Sequence, residues 1–170
     1  MFKTAAIIPT GNELKEGIVL DTDSPMLIET LLSVNGNAQV TRLEPVVDVQ
    51  SLIIETILKE SKKSDLIVLI GGSGGGHRYS PTLGKDFTHS SLEEILTNKF
   101  SQQMFGKNGH MWCKLIIGKI DNCLVINVPG PYEEAKAAIE AFKREYVKDV
   151  NNLMGINKAM MEAVKEKYGT

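Results

Sequence analysis

Five of the six residues at positions 71–76 are glycines, the exception being Ser73, and they follow directly on the apolar run Leu66-Ile67-Val68-Leu69-Ile70. Without a Cβ the backbone takes positive φ at no steric cost and its N–H groups approach a bound group closely, so Gly71, Gly72, Ser73, Gly74 and Gly75 suit an anion or phosphate seat. An Arg can bind phosphate bidentately and a Tyr ring can stack on a planar heterocycle. Arg78 and Tyr79, beside His77, would complete such a seat. The other reading is a surface loop that these side chains merely decorate. Lys85 reads as a solvated lysine before it reads as a phosphate ligand. His77, His89 and His110 match no zinc spacing, and Cys113 and Cys123 lie in consecutive apolar runs, which predicts buried free thiols in a reducing compartment.

The elements that would position this loop follow from hydrophobic pattern. The 66–70 run has no alternation, which suits a strand covered on both faces, and open α/β sheets bind small molecules at the carboxyl ends of such strands. Residues 5–8 read as another buried strand, closed by Pro9-Thr10-Gly11-Asn12. The stretch Asp21-Thr22-Asp23-Ser24-Pro25 supplies an N-cap for a helix running to Val34, and 38–43 alternates like an edge strand. Asp48 caps a second helix, with Leu52, Ile53, Ile54, Ile57 and Leu58 facing the sheet. Beyond the glycines the pattern gives an irregular segment to Lys85, a helix over 90–98 and a loop over 101–110. Strands at 114–120 and 123–128 then form a hairpin, the second ending in Pro129-Gly130-Pro131. A long helix starts at Tyr132, and Gly155 breaks it before a final helix over 158–167; Leu153, Met154, Met160, Met161 and Val164 cover the core or face another subunit.

This order predicts a single α/β domain of three layers, α/β/α, with a mostly parallel sheet and an antiparallel hairpin strand. Residues 1–150 would form its body and 151–170 a helical extension packed on it or on another subunit. A chain of 170 residues buries a core without disulfides or metal, and 19 basic against 21 acidic residues, a net charge of -2, gives no electrostatic case for nucleic acid. No apolar stretch approaches membrane-spanning length, and the first one is too brief for a signal peptide, so the expected place is the cytoplasm.

Three loops together carry a resemblance. Thr10-Gly11-Asn12-Glu13-Leu14 with Gly17, Asp21 and Thr22, then Gly71-Gly72-Ser73-Gly74, then Val128-Pro129-Gly130-Pro131, resemble the molybdopterin-binding domain. That domain is shared by molybdopterin adenylyltransferases, molybdenum insertases and the N-terminal part of competence-damage-type proteins. Its pattern is TG-D/N-EL, G-x-I-x-D-S/T-N, an acid before the second helix, GG-T/S-G followed by D-x-T, and LPG-x-P. Asp48 matches the acid, Asp23 stands where Asn is usual, and Pro131 arrives one position early. A gapless match of the glycine loop puts Tyr79 in place of the family's Asp. Allowing seven extra residues instead gives Asp86-Phe87-Thr88 as the D-x-T motif, immediately before a helix as in the family.

The resemblance implies a protein of molybdenum cofactor biosynthesis that binds molybdopterin and, if active, adenylylates it with Mg-ATP. Asp48 and Asp86 would hold Mg²⁺, which favours one or two carboxylates plus substrate oxygens. Thr10, Gly11, Thr88, Pro129 and Gly130 would line the ligand with the glycine loop, and Glu13 and Asp21 would recognise the amino edge of the pterin. The alternative is a catalytically silent module that keeps the pterin or nucleotide as carrier, sensor or partner subunit. Relatives often form trimers, so a homo-oligomer is implied. For each carboxylate taken alone, a helix cap or a solvated charge is the competing role.

Overall fold

The computed structural model describes residues 1–74, 87–107 and 109–168. Their six strands make one sheet in the order β2-β1-β3-β6-β5-β4. Strands β1 (Thr4–Pro9), β2 (Gln39–Arg42), β3 (Leu66–Ile70) and β6 (Cys123–Val128) are parallel, while β5 (Met111–Ile120) and β4 (Thr97–Phe105) run antiparallel to their neighbours. Alternate residues of the central strands face opposite ways, as the period of a strand requires. Ile7, Val68 and Ile126 join one core with α2 (Asp23–Val34), α5 (Tyr132–Lys148) and α6 (Leu153–Lys167). Ile8, Ile67 and Val125 join another with α3 (Gln50–Glu60) and α4 (Thr88–Ile95). The result is the expected α/β/α arrangement, and all five residues of β3 are buried. Among the described residues no helix is long and apolar enough to cross a membrane.

Several expectations from the sequence need correction. The first half of the segment 101–110 is strand: β4 is the sheet edge, bonded on one side only, so its Ser and Gln residues are mostly exposed and only Met104 is buried. A short helical turn, α1 (Asn12–Lys15), occupies what reads as loop. α4 begins at Thr88 and gives way to strand by Thr97. Asp48 does not cap α3, whose N-terminus has no side-chain cap. Gly155 does not break the helical region either. The break comes at 149–152, and Gly155 lies inside α6, where its N–H donates to Oδ1 of the capping Asn152 at 3.1 Å. A Cβ at 155 would collide with that Asn152 side chain, so the glycine serves the cap.

The buried faces are also narrower than the apolar pattern suggests. On α3 only Ile53 and Ile57 are buried among the apolar residues, while Leu52 and Leu58 are exposed, as are Leu32 of α2 and Met154 of α6. Leu153, Met160, Met161 and Val164 lie in the core shared with α5. Both cysteines are free and buried. Burial pushes each thiol up to about 12, so neither forms a thiolate at neutral pH. The difference between the faces of α3 is measurable by chemical denaturation. Ile53→Ala is expected to cost about 2–5 kcal/mol and Leu52→Ala less than about 1 kcal/mol; equal costs would mean that the helix packs on a different face.

Candidate functional site

The four parallel strands all point their carboxyl ends to one rim, and the glycine-rich loop leaves that rim from the centre. Gly71, at φ 86, donates its N–H to Val128 O at 3.2 Å. A Cβ there would lie 3.1 Å from Thr10 O and 3.2 Å from Thr10 Oγ1, and one on Gly130 would lie 3.7 Å from the Gly71 Cα. The ends of β1, β3 and β6 therefore meet around Gly71, where the positive φ and the tight approach to Thr10 favour glycine. Thr10 is locked to β3 twice, through its N–H (2.9 Å) and its hydroxyl (2.8 Å) on Ile70 O. Its hydroxyl also lies 3.2 Å from that of Thr88, the wholly buried first residue of α4. Gly72, at φ 59, abuts Thr88 so closely that any Cβ would strike the threonine hydroxyl.

Ser73 is buried, and its carbonyl accepts a hydrogen bond from Lys114 N–H at 2.7 Å. Among the described residues no acceptor engages the N–H groups of Gly72, Ser73 and Gly74. Unengaged N–H groups of this kind, beside the buried Thr10 and Thr88 hydroxyls, make a donor-rich surface suited to an anion. Gly75, Arg78, Tyr79 and Asp86 lie outside the described residues.

The acidic residues fall into two groups. Asp48 and Asn12 bind each other reciprocally: Asn12 N–H donates to Asp48 Oδ2 at 3.3 Å, and Asp48 N–H to Asn12 Oδ1 at 3.0 Å. This fixes the Thr10-Gly11 loop to the start of α3. Burial raises the Asp48 pKa, the Asn12 N–H opposes the rise, and the charge of Glu13 adds to it. Glu13 itself folds back over Gly11, whose Cβ would lie 3.4 Å from the Glu13 carboxyl carbon. Gly11 has φ 137, a conformation L side chains rarely adopt. Asp48 and Glu13 thus set two carboxylates beside the Gly11-Asn12 turn. Among the described residues no group of three or more His, Cys, Asp or Glu side chains is placed to hold a metal. A cation here would complete its shell with ligand oxygens.

Asp21 is engaged differently. Its oxygens accept Ser24 N–H (3.0 Å), Ser24 Oγ–H (2.6 Å) and Arg42 Nε–H (2.9 Å). Burial alone would raise its pKa, but these donors outweigh that and hold it below the ordinary value. The acid brackets the start of α2 and spends three acceptor positions on the protein. Neighbouring Asp23, only 5% exposed, has a single long contact to the Thr22 hydroxyl (3.4 Å). Its burial, reinforced by the charge of Asp21, lifts its pKa from an ordinary 3.8 to about 6.

Sequence reading missed the polar residues under the loop, namely His89, Glu93, Lys114 and Asn127. The available signal was Asn127, a carboxamide within the apolar strand Cys123–Val128. A groove of about 520 Å³ along α3, lined by Ser51, Ile54, Leu58, Lys62 and Glu94 among others, shares no residue with these loops.

Comparison with known proteins points the same way. A family model described as a probable molybdopterin binding domain matches residues 6–149. A CinA-like protein of Thermosipho melanesiensis is 27% identical over 198 residues, covering 98% of this chain and 48% of that protein. A putative competence-damage inducible protein of Halothermothrix orenii is 26% identical, covering 92% of this chain and 43% of that one. The chain thus spans about half the length of these relatives. Among solved structures, CinA of Thermoplasma acidophilum, of unknown function, superposes with TM-score 0.63 at 18% identity over 84% of this chain and 97% of that one. The molybdopterin biosynthesis enzyme MoaB of Thermus thermophilus does so with TM-score 0.61 at 19% identity, over 97% and 98%.

The buried Asp23 generates a pH-dependent prediction. Its folded pKa lies above the unfolded one, so the ionised acid weakens the fold. That penalty is complete above a pH of about 6 and disappears as the pH falls below 3.8. Asp23→Asn should raise the unfolding free energy by roughly 1–3 kcal/mol at pH 8, and the gain should vanish near pH 3.5. Urea titrations across that range test it, and a gain independent of pH would contradict the assignment.

Proposed function

The chain belongs to the molybdopterin-binding domain family, and on that premise we propose that it binds molybdopterin at the carboxyl rim of its sheet and adenylylates it with ATP. The observation that carries the reading is the meeting of the three motif loops at Gly71, with the N–H groups of Gly72, Ser73 and Gly74 engaged by no acceptor among the described residues. A cradle that only glycine can form, lined by donors, fits the phosphate groups of both a nucleotide and the pterin. In the reaction a phosphate oxygen of molybdopterin attacks the α-phosphorus of ATP, the new P–O bond forms, and pyrophosphate leaves. Catalysis of such a transfer is positioning and charge neutralisation above all.

Asp48 and Asp86 would hold the Mg²⁺, which supplies positive charge to the phosphate oxygens. Asn12 orients Asp48 through its paired hydrogen bonds. Thr88 supports the match of Asp86-Phe87-Thr88 to the family's D-x-T. It is the first residue of α4, and its hydroxyl faces Thr10 at 3.2 Å. Glu13, beside Gly11, is the freer of the two acids for recognising the pterin amino edge, since Asp21 already binds Ser24 and Arg42. Arg78 and Tyr79 would grip a phosphate and stack on a heterocycle. We place the reaction in the cytoplasm and in a homo-oligomer, with a trimer favoured by the family. The second reading is a silent pterin- or nucleotide-binding module. It is favoured by Tyr79, which takes the place of the family's Asp when the glycine loop is matched without a gap.

Mass spectrometry after incubation with molybdopterin, ATP and Mg²⁺ separates the two readings. Adenylylated pterin is the expected product, and Asp86→Asn should lower its formation at least about a hundredfold while leaving pterin binding near wild type. Unchanged turnover in Asp86→Asn would remove that carboxylate from the reaction. Bound pterin without any ATP consumption would establish the silent module instead.

A further inference from the structure

Beneath the glycine-rich loop lies a polar assembly that belongs to none of the matched motifs. Asn127 is wholly buried near the end of β6. Its Oδ1 accepts Ile116 N–H at 2.7 Å and its Nδ2 donates to Lys114 O at 3.0 Å. Strand pairing between β5 and β6 runs from Ile120↔Cys123 only as far as Ile117↔Ile126. Beyond that point the carboxamide stands in for the missing backbone partner, so β5 is held off the end of β6 by a side chain. The glycine-rich loop reaches into this opening. It leaves β3, whose sheet neighbour is β6, yet Ser73 O accepts its hydrogen bond from Lys114 N–H of β5, at 2.7 Å.

Lys114 is itself only 7% exposed, and its Nζ is paired with Glu93 of α4. Lysine is almost never so buried without a partner. The pair joins β5 to the helix whose Thr88 abuts Gly72 and whose His89 N–H points to Gly72 O at 3.4 Å. The glycine-rich loop is therefore held from β5 at Ser73 and from α4 at Gly72.

We propose that Asn127 and Lys114 are positioning residues of the anion cradle, Asn127 by keeping β5 apart from the end of β6 and Lys114 by tying β5 to α4. The proposal rests on the reading that the loop receives phosphate groups, and neither side chain needs to touch the ligand. A run of glycines loses more backbone freedom on ordering than any other sequence. Unless the fold supplies that order beforehand, binding must, and affinity falls. An effect of that kind weakens nucleotide binding and leaves the chemical step of the bound complex unchanged.

The test uses Asn127→Val, Lys114→Met and Lys114→Arg in the whole chain. Two measurements are made: exchange by NMR, without ligand, of the amide at position 114, whose N–H holds Ser73 O, and the kinetics of adenylylation with ATP and molybdopterin varied in turn. Asn127→Val and Lys114→Met should each speed exchange of the amide at position 114 and raise the KM values for both ATP and molybdopterin about tenfold, with kcat within about twofold. Lys114→Arg, which keeps the ion pair, should stay near wild type. Unchanged exchange and unchanged KM values in folded Lys114→Met and Asn127→Val would overturn the proposal, as would a fall in kcat with both KM values near wild type. If the wild-type protein binds no ATP, the proposed function fails, while exchange in the ligand-free protein still decides whether this assembly orders the loop.

Discussion

Gly71 takes a positive φ and lies so near Thr10 that a Cβ would crowd it, with Gly130 beside it. Much else at the rim depends on that contact. It brings together the ends of three parallel strands, which would otherwise splay, and it fixes where the next residues of the glycine loop begin. Gly72 then lies against Thr88 under the same constraint, and Thr88 sets the start of α4. The site is a consequence of backbone approach, with side chains arranged around it. That is why the apolar runs feeding it are so strict: all five residues of β3 are buried, and β6 is buried along its whole length.

Polar residues around this junction divide into those that hold the scaffold and those left available to a ligand. Asp21 and Asn127 have their hydrogen-bonding capacity taken up by the protein, by Ser24 and Arg42 in one case and by β5 in the other. Asp48 is fixed through one oxygen by Asn12, with Glu13 close enough to disfavour its ionisation. An acid whose charge is disfavoured in this way suits a cation or a donor-rich ligand edge. Asp23 is the exception. It is a buried acid that the fold satisfies poorly, at the position where the family pattern has Asn.

The sequence made the sheet and the three loops legible because their signals are local. Unbroken apolar runs mark β1, β3 and β6, and glycine or proline clusters mark where each one stops. β4 was not legible, since an edge strand with one bonded side has little apolar pattern to read and its Ser and Gln residues imitate a loop. Asp48 looked like a helix cap because caps and site carboxylates share the same residue types and positions. In the fold its partner is Asn12, 36 positions away, which no local signal reveals. Gly155 misled for a related reason: its role is to make room for the Asn152 cap, which cannot be inferred from a glycine alone. The support beneath the loop was hidden because Asn127, Lys114, Glu93 and Ser73 are far apart in the chain and meet only once the sheet has formed.

The central claim is that the rim where β1, β3 and β6 end is the pterin site, and it can be located directly. Hydrogen exchange followed by mass spectrometry, with and without saturating molybdopterin, reports which backbone amides the ligand covers. The account predicts protection concentrated at residues 10–13, 71–74 and Gly130, with the outer faces of α3 and α6 unchanged. Protection centred on the α3 groove or elsewhere, or no protection at pterin concentrations that saturate a bound signal, would contradict it.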